Sequence, residues 1–78
     1  MNLYIVYDRV AEECGPIFEQ PTDGAAKRLY RELMKDGKAR QNEYKLLYIG
    51  KIDRSTGRIT VPEHPTDIFV PEEVENGN

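Results

Sequence analysis

The sequence contains one cysteine, Cys14, and one histidine, His64. A single cysteine excludes an intrachain disulfide, and without a Cys/His cluster no structural metal site is spelled out. No uncharged apolar run, residues 46–50 included, comes near the roughly 18 residues that cross a bilayer. The N-terminus also lacks a basic segment followed by an apolar one, so no targeting segment is legible. Gly15 and Gly24 stand alone and form no phosphate-binding loop. These absences predict a soluble protein of a reducing compartment, with no metal, no cofactor and no membrane partner. What remains is 78 residues at 9.0 kDa, room for one small domain. A chain of this size buries only about 60 to 65% of its unfolded surface, so its core is marginal unless a partner enlarges it.

The net charge is −3 and the pI about 5.1, values that argue against a nucleic-acid partner. The average conceals three blocks. Residues 1–23 carry Arg9 against five acids, and residues 62–78 carry five acids with no Lys or Arg. Between them, residues 24–61 hold ten basic side chains against four acidic ones, an excess of six. Such segregation suggests a basic face for an acidic partner, or a basic face screened by an acidic tail.

Residues 2–8 are β-branched and aromatic and read as a central strand, with Leu3, Ile5 and Tyr7 on one face and Tyr4 and Val6 on the other. Residues 9–16 read as a connection ending in Gly15 and Pro16, and residues 17–20 as a second strand. The intervening loop is too short for a crossover, so the two strands should be antiparallel neighbours. Thr22 or Asp23 can cap a helix, after which Ala26, Leu29, Tyr30, Leu33 and Met34 step along one face. Gly37 reads as its stop, with Lys35 and Lys38 at the negative end of the helix dipole. Residues 44–53 form the longest strand, with Tyr44, Leu46, Tyr48 and Ile52 facing one way and Leu47 and Ile49 the other; Gly50 suggests a bulge or a close approach. A turn over residues 53–57 returns the chain as a fourth strand over residues 58–61.

The expected fold is α+β: one domain in ββαββ order over residues 1–61, an antiparallel sheet with one amphipathic helix on one face, followed by an acidic, proline-containing tail over residues 62–78. One helix covers one sheet face, yet both long strands are apolar on two. A second copy of the chain is the economical cover, so a homo-oligomer, with a dimer favoured, is expected. Candidate interface residues are Tyr4, Val6, Leu47, Ile49, Ile68 and Phe69. The alternative cover is the tail itself, through Ile68, Phe69 and Val70.

Little in the chain looks catalytic. Cys14 and His64 have no spacing that supports a dyad, and the like charge of Glu12 and Glu13 beside Cys14 disfavours a reactive thiolate. Asp53, Ser55 and Thr56 are too few for a calcium cage and read as turn residues. No enzyme activity is expected. The feature with functional reach is basic: Lys27, Arg28, Arg31 and Lys35 lie on one helical face, joined by Lys51 and Arg58 in the hairpin, and suit phosphates or an acidic protein surface. The five tyrosines offer base-stacking rings, although Tyr30 belongs to the core face of the helix.

Three segments carry a family likeness: YIVYDRVAEECGPIF (residues 4–18), AAKRLYRELM (residues 25–34) and YKLLYIGKIDRSTGRI (residues 44–59). Together they resemble the small nonstructural, DNA-binding protein of gokushoviruses, single-stranded DNA bacteriophages of the Microviridae. The likeness covers residues 3 to 61. It implies a non-enzymatic role in binding single-stranded viral DNA, or in assisting its replication or packaging, within the host bacterial cytoplasm. The alternative is an oligomeric assembly module that acts on phage replication or capsid proteins without touching DNA. The likeness transfers no catalytic residues and singles out only Arg28 among the cations.

Overall fold

The computed structural model describes residues 1–36 and 43–71. Alternating β-branched and aromatic residues extend the chain into β1 (Asn2–Asp8), which pairs antiparallel along its full length with β4 (Tyr44–Asp53), from Asn2 opposite Lys51 to Asp8 opposite Tyr44. The other edge of β1 is shared by two short strands, β3 (Phe18–Gln20) beside Asn2, Leu3 and Tyr4, and β2 (Glu13–Cys14) beside Tyr7 and Asp8. The far edge of β4 is shared in the same way by β5 (Arg58–Thr60) and β6 (Thr66–Ile68). One helix, α1 (Asp23–Asp36), packs on β1 and β3.

The α+β expectation therefore gives way to a mostly β molecule. Among the described residues strand accounts for 44% against 22% helix, and the sheet curls into a half-barrel. The ββαββ order omitted β2 and β6, and both omissions have the same cause. A strand of two or three residues shows no period of two, and is defined by the backbone it pairs with. At β2 the chain reverses because the Asp8 carboxylate accepts from the Val10 and Ala11 amides, and Glu12 takes a positive φ of 59° without any glycine to advertise it. At β6, Pro65 precedes a three-residue strand on an outer edge, where a missing N–H is tolerated.

The sheet also absorbs part of the expected tail. Ile68 and Val70 pack against the core cluster of Tyr4, Ala26, Tyr30 and Leu46, so the chain through residue 70 belongs to the fold. Residues 72–78, and the expected helix stop at Gly37 with Lys38, lie outside the described residues.

The helix begins where expected. Thr22 Oγ1 accepts from the Ala25 amide at 3.1 Å, and Asp23 stands in the positive first turn. Its apolar stripe is used unevenly: Ala26 and Tyr30 are buried and Met34 packs against them, whereas Leu33 remains 49% exposed. The helix leans on the β1 and β3 side of the sheet.

Gly50 combines a bulge with a close approach. The β1–β4 register shifts by one residue between Leu3 and Tyr4, leaving Ile49 unpaired between Gly50 and Tyr48. Beyond the shift the faces exchange: Lys51 opposes Asn2 on the helix side, and Ile52 moves to the far side, contrary to its expected place on the face of Tyr44, Leu46 and Tyr48. Gly50 has φ 152°, and a Cβ there would lie 2.6 Å from the Thr60 carbonyl oxygen. Gly57 has φ 78° with open space around it. Gly57→Ala should therefore lose about 1 kcal/mol through backbone conformation alone. Gly50→Ala should lose about 3 kcal/mol, because the carbonyl must also shift. Urea denaturation of the pair measures the difference. A chain ending at Val61, which removes β6 with Ile68 and Val70, should unfold at lower urea than the full chain, by about 3 kcal/mol for two partly buried aliphatic side chains and their strand.

Candidate nucleic-acid interface

The helix sets the positions of four of the six expected cations. At 3.6 residues per turn, Lys27, Arg31, Lys35 and Arg28 fall within an arc of about 100° that adjoins the Met34 edge of the core. Arg28 and Lys35 are exposed; Lys27 and Arg31 are half-buried, their stems lying along the protein. The Arg31 Nε is itself buried without a hydrogen-bond partner among the described residues.

The hairpin supplies the other two. Lys51, opposite Asn2, lines a cavity of about 370 Å³ with Asp23 and Tyr48, which brings it to the first turn of the helix. Arg58 stands opposite Asp53 at the hairpin end. There Asp53 Oδ1 accepts from the Ser55 hydroxyl at 2.7 Å and the Ser55 amide at 3.0 Å, and these bonds hold its carboxyl below the usual range. Asp53 is thus a turn residue, as its spacing implied. Among the described residues the ion pairs are Arg54 with Glu19 at 2.6 Å and Lys45 with Asp67 at 3.6 Å; neither uses one of the six expected cations.

The expected interface set does not form one surface. Tyr4 is 0% exposed and lies in the core beneath the helix, where Val6 and Ile68 pack against the same cluster. Leu47 belongs to the opposite face, opposite Ile5, and is only 7% exposed because the curled sheet shelters it beside Pro65. Ile49 occupies the bulge, and Phe69 is 78% exposed. Tyr4, fully buried, has no surface left for a partner, whereas Val6 and Ile68 are only partly buried and Ile68 lines open cavities beside the helix. Cys14 and His64 lie at opposite edges of the sheet, since β2 and β6 flank β1 and β4 from outside. Three strand spacings separate those edges, about 14 Å, so no dyad forms.

The tyrosines divide by environment. Tyr4 stacks on Phe18 at 5.8 Å and meets Tyr48 edge-on at 5.9 Å. Tyr7 lies under the Lys45 ammonium, 5.5 Å from its ring centre. Tyr30 is buried, and Tyr44 is half-buried beside it in a second cavity of about 350 Å³ that Arg9 also lines. Arg9 escapes notice in the sequence because its neighbours are acidic. Only the turn after β1, tied by the Arg9 amide to the Glu43 carbonyl at 2.8 Å, brings it to the basic half of the chain.

A model of the phage ORF5 protein family matches residues 1–74, nearly the whole chain. The chain belongs to the phage ORF5 family. No curated protein and no solved structure matches it. For this phage protein, no helix among the described residues is long and apolar enough to cross a membrane. Among the same residues no cluster of three or more His, Cys, Asp or Glu is placed to hold a metal ion.

The phage protein keeps its helix in place partly through Tyr4, whose hydroxyl donates to Asp23 Oδ1 at 2.5 Å and accepts from Asn2 Nδ2 at 3.0 Å. Burial first, then the Asp23 carboxylate, pushes the phenol pKa up to about 12. An unfolded tyrosine titrates near 10. The folded state thus holds the proton more tightly, so this contribution to stability is complete below pH ~10 and declines as pH rises towards ~12. Tyr4→Phe should lose about 1 kcal/mol at neutral pH. It should also flatten the alkaline decline, leaving the part due to Tyr30, whose phenol burial likewise raises. Thermal melts of both proteins from pH 7 to 11 check this.

Proposed function

We propose that this phage protein binds single-stranded DNA through the solvent face of α1 and the adjoining hairpin, in the replication or packaging of a gokushovirus-like genome inside the infected bacterium. The observation that carries the reading is the stripe of Lys27, Arg28, Arg31 and Lys35 on a helix anchored to the sheet by the adjoining face, with Arg28 and Lys35 exposed. Its cations repeat at roughly the helix pitch of 5.4 Å, a spacing that suits phosphates. Membership of a phage family and the likeness of three segments to a gokushovirus nonstructural protein favour a viral nucleic-acid role over a cellular one. The protein acts by holding the strand; no covalent step is assigned to it.

The acidic average charge does not oppose this reading, because attraction is decided within about a Debye length of the surface, some 8 to 10 Å at physiological salt. Residues 66–68 are strand β6, and Ile68 and Val70 pack against the core, so this stretch of the expected tail is not free to screen that face.

Fluorescence anisotropy against a single-stranded oligonucleotide tests the proposal. Affinity should fall with salt at a log–log slope of about 0.7 per phosphate contact. Arg28→Glu combined with Lys35→Glu, both at exposed positions, should weaken binding at least about tenfold at low salt without altering the melting temperature. Binding that is absent near 50 mM salt, or indifferent to this double change, excludes the proposal.

A further inference from the structure

Because α1 leans towards β1 and β3, the β4–β6 half of the same sheet face is left as a groove beside the helix. Two cavities make up its length, and Ile68 lines both. One end holds Asn2, Asp23, Tyr48 and Lys51. The other has an apolar floor of Leu46, Ile68 and Val70, with Tyr30 and Tyr44 beside it and Arg9 at its rim. We propose that this second end is a nucleobase pocket: one base of a single strand stacks on Tyr44 over the apolar floor, Arg9 holds the neighbouring phosphate, and Phe69 closes over the mouth.

Five observations carry the assignment, which rests on the reading of the protein as a single-strand binder. The cavity, at about 350 Å³, lies at the small end of the range that holds ligands, roughly 300 to 1,000 Å³. Its lining pairs an apolar floor with aromatic rings and one guanidinium, the combination that accepts a planar base carrying an anionic neighbour. Lys45 also lines the cavity but is committed elsewhere, over the Tyr7 ring and to Asp67, whereas Arg9 has no ion-pair partner among the described residues. Arg9 is close enough for its charge to oppose the rise that burial causes in the Tyr30 phenol. Finally, Phe69 is 78% exposed at the edge of the cavity, a large ring left in water where a flat ligand would cover it. The pocket is set apart from the helix stripe in kind: the stripe reads phosphates, while the pocket reads a base.

The difference can be measured with the full-length chain, an oligothymidylate and an abasic strand of the same length. Stacking of one base should make the oligothymidylate bind about 5- to 100-fold more tightly than the abasic strand. Tyr44→Leu, which keeps the apolar contact with the core, should bring that ratio close to one while leaving the abasic affinity unchanged. Arg9→Gln, at an exposed position, should weaken both ligands and lower the salt slope by about 0.7. Circular dichroism establishes that each variant is folded. Equal affinity for the two wild-type ligands, or a preference that survives Tyr44→Leu, overturns the pocket and leaves the helix stripe standing. A Tyr44-dependent preference that is indifferent to charge reversal at Arg28 and Lys35 supports the pocket and removes the stripe. If neither strand binds, both fall.

Discussion

The antiparallel pairing of β1 with β4 is the constraint on which the rest depends. These are the two long strands, apolar on both faces, and every other strand finds its register on one of their outer edges. Buried backbone groups must be paired, so each long strand needs a partner on each side; the chain is too short to give each a second long one. It uses fragments instead, β2 with β3 along one edge and β5 with β6 along the other, separated where Pro16, Pro62 and Pro65 withhold an N–H. The interrupted edges let the sheet curl, and the curl shelters Leu3 and Leu47 on the face the helix does not touch.

The same pairing settles where the helix can go. Tyr4, at the centre of β1, turns its ring into the core and its hydroxyl towards Asp23, fixing the first turn of α1 over the β1 side of the sheet. The consequences are opposite in kind. On its outer side the helix presents a row of cations to solvent; on its inner side it leaves β4 and β6 only partly covered, with Tyr44 and Tyr48 at the two ends of a groove. An anchor on one side and a gap on the other thus follow from a single off-centre contact. Under the proposed binding of a single strand, phosphate attraction and base stacking make different demands, charge in water and flat apolar surface out of it, and the cation row and the groove lie apart.

Much of the local structure was legible because it rests on near neighbours. The bounds of β1, the Thr22 cap, the bounds of the 44–53 strand and the Asp53–Gly57 turn all depend on residues within a few positions of one another, and the structure has each of them where the residues placed it. The fold class was misread for the complementary reason. Strands β2 and β6 have almost no local signature and exist because a long strand offered an open edge. The exchange of faces beyond Gly50 was half-legible: the glycine marked the place, but only the register with β1 shows that Ile52 and Lys51 trade sides.

The functional reading divides along the same line. The amino-acid sequence alone determined that a basic segment lies between acidic ends and that four of its cations share a helical face, because composition and a period of 3.6 are properties of the chain. Helical period already assigned Tyr30 to the core, but only the tertiary structure decided that Tyr4 is buried with it while Tyr44 is only partly buried against the cluster. It also decided that Arg9, from the acidic end, stands beside residues 30 and 44, from the basic middle. Sheet pairing brings together residues that are dozens of positions apart, and no periodicity along a single strand or helix records which distant residues will meet.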